Sequence, residues 1–404
     1  MQKATRQHTK DHNTNLVLKT IFDNERIGRA EISRITRLTR TTVSDIVADL
    51  ISEELVKEVG VGLSIGGKSP ILLSLEADSR YLIGIDLARK KFSGAIVNLR
   101  GEIRYKVDQD IQGLDSEAAL ASLYAILDHL TQIPYKPLVG IGIGTPGLVN
   151  TSEGVVINAV NLDWMDLQLA SPLQERYHLP VLVFNDSQAA AMGEFTFGEG
   201  HGPESSLIVI SLRYGVGAGI IINGQLFHGD GGGAGEIGHV VVQEGGLLCR
   251  CGNVGCLETV ASTQSVIQHA KRLIGQNKDS ILAKKPEKLS LDLIEQAFKS
   301  GDPLAHEVVL QTAHYLGMAI SNLIGTLNIH RVILVGDMTC FGDPWLEAIR
   351  KTIRQTTLTR LAEETQVEIG GLGPNGIILG ASALILKNYS LLFTDKAHLA
   401  GIMV

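Results

Sequence analysis

The feature that most constrains this chain is a short segment rich in cysteine. Three of the four cysteines in the 404 residues, Cys249, Cys251 and Cys256, lie within eight positions, and His239 precedes the first of them by ten. Three thiolates and one imidazole form a complete tetrahedral ligand set, and they suit Zn²⁺ better than magnesium or calcium. The spacing predicts a closed, structural zinc site. The plainer alternative is three buried cysteines and a core histidine.

Two carboxylates, Glu236 and Glu258, flank the predicted metal loop. All four metal ligands come from the protein and no acid–base residues adjoin them in sequence, so the ion is expected to fix the loop rather than react. A rigid loop with a carboxylate at each end makes sense if both must face the same ligand. The segment therefore predicts a binding site beside the metal.

The same segment resembles the signature of a known family. Glu-x-Gly-His, followed by Cys-x-Cys-Gly-x-x-Gly-Cys-x-Glu, is similar to the motif of the ROK family of repressors, open reading frames and kinases. In that family the histidine and cysteines hold zinc and the two glutamates contact a sugar. The resemblance implies sugar contacts by Glu236, Glu258 and His239, the last through its second ring nitrogen. It also implies the two-lobed, actin-like α/β fold of sugar kinases, with the ligand in the cleft.

Charge divides the chain into a basic head and an acidic body. Residues 1–40 carry nine Lys or Arg against four Asp or Glu, a local charge of +5, whereas residues 41–404 carry −12. This asymmetry predicts a nucleic-acid contact at one end. The clustered cysteines, the polar N-terminus and the lack of an apolar run of about 20 residues favour a cytoplasmic protein without a membrane contact.

Residues 1–75 are predicted to form a winged helix-turn-helix domain. Helical spacing at 15–23 and at 30–36, the latter expected to bury Ile32 and Ile35, precedes a third helix. Thr39 is a good N-cap for that third helix. Its apolar stripe has i, i+3, i+4, i+7 spacing and consists of Val43, Ile46, Val47 and Leu50.

The polar face of the third helix is predicted to contact DNA. Its first turns carry one guanidinium and several hydroxyls, namely Arg40, Thr41, Thr42 and Ser44. Arg40 is the side chain best able to read a guanine. Lys68 lies in a glycine-rich tip between strands predicted at 55–59 and 71–75, which is typical of a wing, and it should touch phosphate. The alternative is a small helical domain with a solvated polar face.

The head departs from the family pattern at two places. The family usually has glycine in the turn before the third helix, where this chain has Arg37, and Gly-Arg-Pro in the wing, where residues 67–70 read Gly-Lys-Ser-Pro. A lysine lacks the planar fork of an arginine, which weakens the expectation of a minor-groove contact. Within the family, the repressor branch carries such a head and the kinase branch lacks it.

Residues 80–404 alternate strand and helix patterns, which predicts an α/β body. One lobe is expected at 80–187 with 377–404, and the second lobe, with the zinc site, at 188–376. Strands are predicted at 81–86, 93–99, 140–144, 181–184, 207–212, 219–222 and 332–335. Helices are predicted at 117–131, 188–194, 262–274, 304–327, 344–356 and 376–387.

Asn185 and Asp186 directly follow a predicted strand, at the end where α/β proteins bind ligands. The matching aspartate is the general base in ROK kinases, although an aspartate here could also cap the next helix. Asn161 resembles a family segment that lines the sugar site, and otherwise reads as an ordinary polar loop. Convergent carboxylates and amides suit a sugar, because each hydroxyl both donates and accepts hydrogen bonds.

The phosphate-binding motifs of the kinase branch are altered at three places. Asp-x-Gly-Gly-Thr reads Asp86-Leu-Ala-Arg-Lys, Gly-Thr-Gly reads Arg213-Tyr-Gly, and a late Gly-Gly reads Gly-Asp337. Phosphoryl transfer needs backbone N–H groups and hydroxyls close to the phosphates of ATP, and these substitutions remove them. We therefore expect no enzymatic activity.

These features predict a sugar-responsive transcriptional repressor of carbohydrate-metabolism genes. A homodimer or homotetramer would bind an inverted-repeat operator and release it when a carbohydrate enters the cleft. Two alternatives stay open. One is an ATP-dependent sugar kinase with an appended DNA-binding domain, and the other is a sensor regulated by a protein partner.

Overall fold

The computed structural model describes residues 6–63, 69–198, 206–284, 286–387 and 392. They form a small head and a two-lobed α/β body, which confirms the predicted fold class. Among these residues no helix combines the length and the apolar character needed to cross a membrane.

The head has the element order of a winged helix-turn-helix. It comprises α1 (Arg6–Phe22), β1 (Ile27–Gly28), α2 (Arg29–Thr36), α3 (Arg40–Ser52), β2 (Val56–Val61) and β3 (Ile71–Leu75). The central strand β3 pairs antiparallel with both β1 and β2. Strands β2 and β3 correspond to the two strands that the sequence predicted on either side of the wing tip.

Local signals explain the helix α3. The Thr39 hydroxyl accepts from the Thr42 backbone N–H at 3.1 Å, which confirms Thr39 as the N-cap. All four residues of the predicted stripe are buried. The turn before α3 places Arg37 at φ 59°, in the left-handed region, and this explains why glycine suits that position.

Two predictions about the head are wrong. The first helix begins at Arg6 rather than at residue 15, so it is longer than its apolar pattern indicated. Ile35 is 49% exposed, because α2 packs on its neighbours through the face that holds Ile32. A helix of two turns has only one face to bury, and apolar spacing alone does not assign it.

The first lobe is built on a five-stranded sheet of order β11-β7-β4-β5-β6, with a small sheet of order β10-β9-β8 beside it. Its elements are β4 (Tyr81–Leu87), β5 (Lys91–Asn98), β6 (Ile103–Asp110), α4 (Ser116–Gln132), β7 (Leu138–Thr145), β8 (Leu148–Asn150), β9 (Val155–Ala159), β10 (Trp164–Gln168), α5 (Ala170–Tyr177) and β11 (Val181–Asn185). Strands β4, β7 and β11 are parallel, so their carboxyl ends meet at one edge of the sheet.

The second lobe is built on a five-stranded sheet of order β14-β13-β12-β15-β16. The remaining elements are α6 (Asp186–Thr196), β12 (Leu207–Leu212), β13 (Val216–Ile222), β14 (Gln225–Leu226), α7 (Glu258–Ala261), α8 (Thr263–Leu273), α9 (Leu291–Lys299), α10 (Pro303–Leu327), β15 (Arg331–Val335), α11 (Gly342–Thr356), α12 (Thr359–Glu364), β16 (Gln366–Ile369) and α13 (Gly376–Leu386). The predicted strands and helices are all present, whereas β6, β8, β9, β10, β14, β16, α5, α7, α9 and α12 were not predicted. The residue bounds proposed for the lobes stay a prediction.

Two helices join the lobes at close range. Helix α13 packs on β4 and β7 of the first sheet, and α6 packs on β12 and β13 of the second. The two helices contact each other at Gly380, where an added Cβ would lie 1.7 Å from the Ala189 carbonyl oxygen. A side chain there would force the helices apart, so glycine sets their separation.

Two arginines of the body hold the head. Arg100 donates Nη1 to the Phe22 carbonyl at 2.6 Å, at the end of α1, and Arg80 donates Nη2 to the Glu53 carbonyl at 3.0 Å, just after α3. Cations are favourable at helix C-termini. Apolar packing continues across the same boundary, from Val17 in the head to Leu386 in α13. The head is therefore docked on the first lobe.

We predict that Arg100→Ala destabilises this docking. The change removes the hydrogen bond from Arg100 to the partly buried Phe22 carbonyl, so the free energy of unfolding should fall by about 1–3 kcal/mol in urea titrations. Arg360→Ala is the control, since the Arg360 side chain is 88% exposed in its ion pair with Glu364 and should contribute less than about 1 kcal/mol. Equal losses in both variants would contradict the role of Arg100.

Candidate functional site

The four predicted metal ligands lie together. The candidate donor atoms of His239, Cys249, Cys251 and Cys256 are all within 4.8 Å of one another. Cys251 Sγ is 3.7 Å from Cys256 Sγ, and Cys249 Sγ is 3.6 Å from His239 Nδ1. Zinc–sulfur bonds of about 2.3 Å in a tetrahedron give separations of about 3.8 Å. The cluster could therefore hold a metal ion, and its spacing fits zinc.

The backbone around the cluster is folded tightly enough to hold the thiols without a disulfide. All the cysteines in the described residues are free. Gly255 has φ 82°, and an added Cβ would lie 1.8 Å from the Gln243 carbonyl oxygen. A backbone hydrogen bond involving Asn253 lowers the pKa of Cys251 to about 7, whereas burial raises the pKa of Cys249 and of Cys256.

His239 connects the cluster to the first of the two carboxylates. Its Nδ1 atom faces Cys249, and its Nε2 atom lies 3.9 Å from Glu236 Oε2. Both residues lie in or next to a 3-10 turn at Ile237–His239, packed below β13. The ring is thus placed to bind a metal through one nitrogen and to orient Glu236 through the other.

Arg250 bridges the second carboxylate, Glu258, and Asn161. Glu258 Oε2 accepts from the Val216 backbone N–H at 3.2 Å. Arg250 donates Nη2 to Glu258 Oε1 at 3.3 Å and Nη1 to Asn161 Oδ1 at 2.9 Å. The structure therefore brings Asn161 and Glu258 from different lobes to one point. Arg250 was not predicted from the sequence, and its position inside the cysteine motif was the only signal.

The structure separates the roles of Asn185 and Asp186. Asn185 caps α6, since its Oδ1 accepts from the Ser187 and Gln188 backbone N–H groups and its Nδ2 donates to the Gly147 carbonyl at 2.9 Å. The aspartate is therefore not the cap. Burial raises the pKa of Asp186, and the charge of Arg213 offsets part of that rise, so that the resulting pKa is about 6. Asn185 as a sugar contact stays a prediction, because capping uses most of its hydrogen-bonding groups.

The cleft beside Asp186 is closed by an ion pair between the lobes. Arg213, which follows β12, donates to both carboxylate oxygens of Asp86 in β4, at 3.0 Å each. The Asp86 side chain is only 6% exposed. Asp337 also lies near Arg213. Burial raises the pKa of Asp337, and the positive charge of Arg213 offsets part of that rise. Residues from all three altered kinase motifs therefore lie close together, with Asp86, the retained aspartate of the first motif, paired to Arg213 of the second.

A cation–π contact adds a second link between the lobes. The Arg89 guanidinium carbon lies 4.1 Å from the centre of the Tyr214 ring. Arg89 is in the turn after β4, and Tyr214 is in the turn after β12. The sequence indicated that both residues would disturb a phosphate site, but not that they would contact each other.

The predicted DNA-contacting residues lie on one exposed face. Arg40, Thr41 and Ser44 are exposed at the start of α3, while the Thr42 hydroxyl is 2.8 Å from that of Thr39. Among the described residues, no hydrogen bond or ion pair engages the Arg40 side chain. Lys68 lies outside the described residues, so its role stays a prediction.

Comparison with known proteins decides the family. The ROK family model matches residues 82–388. The chain belongs to the ROK family. This result confirms the resemblance inferred from the glutamate, histidine and cysteine motif.

The proteins that match the whole chain are regulators by name, whereas a glucokinase matches only part of it. A xylose repressor from Caldicellulosiruptor bescii is 35% identical over 385 residues, 94% of this chain and 96% of that protein. A glucokinase from Halalkalibacterium halodurans is 36% identical over 314 residues, only 76% of this chain but 95% of that protein. A solved ROK family transcriptional regulator, a homologue of the Escherichia coli MLC protein, covers 98% of this chain and 99% of its own, with a TM-score of 0.84 and 28% identity. The head is therefore shared with regulators.

We predict that Cys251→Ser removes the metal. Loss of one thiolate opens a closed site, so zinc content measured on protein prepared without chelators should fall from about one ion per chain to near zero. Cys340→Ser is the matched control, because Cys340 lies outside the cluster and should leave the metal in place. Wild-type protein without zinc would contradict the assignment, as would equal loss in both variants.

Proposed function

We propose that this ROK protein is a sugar-responsive transcriptional repressor of carbohydrate-metabolism genes. The observation that carries the proposal is the Arg213–Asp86 ion pair, which fills the side of the cleft where kinase motifs hold phosphates. The polar groups on the sugar side are kept. The full-length similarity to a xylose repressor, head included, supports the same function.

Zinc is proposed as a structural ion held by His239 and the three clustered cysteines. It would bind the loop that begins after Glu236 and ends at Glu258. The proposed sugar contacts are Asn161, Asn185, Asp186, Glu236, His239 and Glu258. The fixed loop would hold the two glutamates against the sugar, which lowers the entropy lost on binding.

The packing of the helices offers a route from the cleft to the head. Asp186 is the first residue of α6, and α6 is in close contact with α13 at Gly380. The last residues of α13, Ile385 and Leu386, belong to the apolar cluster that supports α1 and α3. A sugar that moves α6 relative to the first sheet would therefore move the surface on which the head is docked.

The proposed partners are an inverted-repeat operator and a small carbohydrate. A homodimer or homotetramer would place two heads on the two half-sites, through Arg40, Thr41, Thr42, Ser44 and Lys68. The body outside the head carries net negative charge, which repels DNA and leaves the head as the favourable face. A protein that binds chromosomal DNA in this way would act in the cytoplasm.

We predict that an effector sugar releases the protein from its operator, with Arg40 needed for recognition. Fluorescence anisotropy on fragments from upstream of its own gene should show specific binding that weakens by about 1–3 kcal/mol when a sugar saturates the protein. Arg40→Ala should cost about 1–3 kcal/mol on the operator and little on random DNA. Arg34→Ala, an exposed arginine on α2 paired with Glu31, should change neither.

Two results would contradict this proposal, the first its function and the second its site residues. In the first, the full chain binds no fragment better than random DNA, with or without sugar. In the second, Asp186→Ala and Glu236→Ala both respond to sugar as the wild type does, which would remove these residues from the site.

A sugar kinase with an appended head is the alternative that the site opposes. Asp186 favours it, because a carboxylate with a pKa of about 6 can accept a proton from a sugar hydroxyl. Arg213 and Tyr214 oppose it, since both occupy the positions where backbone groups would approach phosphates. Regulation by a protein partner rather than by a sugar is a third proposal. In that case the protein would bind its operator in the anisotropy experiment, and no sugar would weaken the binding.

We predict that the protein does not bind ATP or phosphorylate sugars. Calorimetry with Mg·ATP should give no heat of binding, and a coupled assay of ADP release should show no turnover with any sugar that stabilises the protein. A ROK family glucokinase provides the positive control in both assays. Steady turnover by this chain would favour the kinase alternative instead.

A further inference from the structure

One side chain of the zinc loop, the segment between Glu236 and Glu258 that carries the proposed zinc ligands, lies inside the proposed sugar site. Arg250 stands between the proposed ligands Cys249 and Cys251, and its guanidinium donates to Asn161 Oδ1 at 2.9 Å and to Glu258 Oε1 at 3.3 Å. Both acceptors are proposed sugar contacts. The arginine therefore uses the same oxygen atoms that the hydroxyls of a bound sugar would need.

The same guanidinium reaches the contact between the lobes. Its central carbon lies 5.0 Å from the centre of the Tyr214 ring, and that of Arg89 lies 4.1 Å from the same point. Arg89 comes from the first lobe, Tyr214 from the second and Arg250 from the zinc loop. A cation over an aromatic ring is attracted to it, and the attraction grows as water is excluded. Arg250 thus contacts both the proposed sugar acceptors and the link between the lobes.

The position of Arg250 allows its side chain to move while the loop stays fixed. Its two neighbours in sequence are proposed metal ligands, which would hold its backbone in place. Its side chain is 47% exposed, whereas that of Glu258 is 14% exposed. Rotation about the side-chain bonds can therefore carry the guanidinium into solvent and leave the carboxylate in the site.

We propose that Arg250 is an internal ligand of the free protein, which fills the sugar site and which the effector displaces. This inference rests on the proposed sugar-responsive function and names how that site is regulated. The hydroxyls of a neutral sugar would donate to Asn161 and Glu258 in place of the guanidinium. The displaced arginine would leave Tyr214, so sugar binding would remove one cation from the ring that links the lobes. Such a change in contacts is what a ligand needs to shift a conformational equilibrium.

Arg250→Ala tests the displacement. Calorimetry on the zinc-loaded full chain would use D-xylose, D-glucose and N-acetyl-D-glucosamine as probes. A site that is blocked part of the time binds with an affinity reduced by its open fraction, so the variant should bind a responsive sugar about tenfold more tightly than the wild type. Arg272→Ala removes the same charge at the end of α8, beside the zinc loop, and should leave the affinity unchanged. Zinc content equal to that of the wild type shows that the loop is intact in each variant.

A second measurement needs no sugar. Hydrogen exchange of residues 213–217 in the free protein should be faster in Arg250→Ala than in the wild type or in Arg272→Ala, because Tyr214 loses one of its two cations. Equal exchange would contradict the proposed link between Arg250 and the lobes. Arg250→Lys should exchange at an intermediate rate, since lysine keeps the charge but not the planar fork.

The sugar results separate this inference from the function on which it rests. Weaker binding by Arg250→Ala would mean that the arginine itself holds the sugar, and unchanged binding would mean that it does not block the site. Either result overturns the displacement while the sugar-responsive function stands. If none of the probes binds the wild type or the variant, the sugar-responsive function fails for these sugars, and displacement by them fails with it.

Discussion

The ion pair between Arg213 and Asp86 is the interaction on which the cleft depends. It joins the end of β12 in the second lobe to β4 in the first, with both carboxylate oxygens engaged. Because Asp86 is buried, removal of the arginine would leave an unpaired carboxylate at a cost of about 3–5 kcal/mol. The pair therefore fixes the separation of the lobes on the side where a kinase needs room for phosphates.

The rest of the site is arranged around that fixed side. Asp186 lies within the influence of Arg213, and Arg89 and Tyr214 make a second contact between the lobes nearby. On the other side the clustered cysteines lie in a loop whose backbone is held by its own hydrogen bonds. Between these two rigid parts, Arg250 is a side chain that can leave without moving either.

The parts of the protein that were predicted correctly depend on short-range patterns. The stripe on α3 and its Thr39 cap lie within one helix, and the His and Cys residues of the cluster that could hold a metal lie within 18 positions of one another. Periodicity and spacing act over such distances, so the sequence expresses them directly. The exposed Ile35, the strand β6 and the cap at Asn185 were missed because neighbouring elements decide them. An apolar residue faces the core only if another element covers it, and a polar residue caps a helix only if its backbone turns at that point.

By itself, then, the sequence determined the α/β body, the winged head, the ligand set for a metal and the loss of the kinase glycines. It did so because each of these is recorded in residues that are close along the chain. Only the tertiary structure decided what replaced the lost motifs. Asp86 and Arg213 are 127 positions apart in the sequence, and Asn161 and Arg250 are 89 positions apart. Contacts over such separations depend on how two sheets and the helices between them pack, and no local pattern encodes that packing.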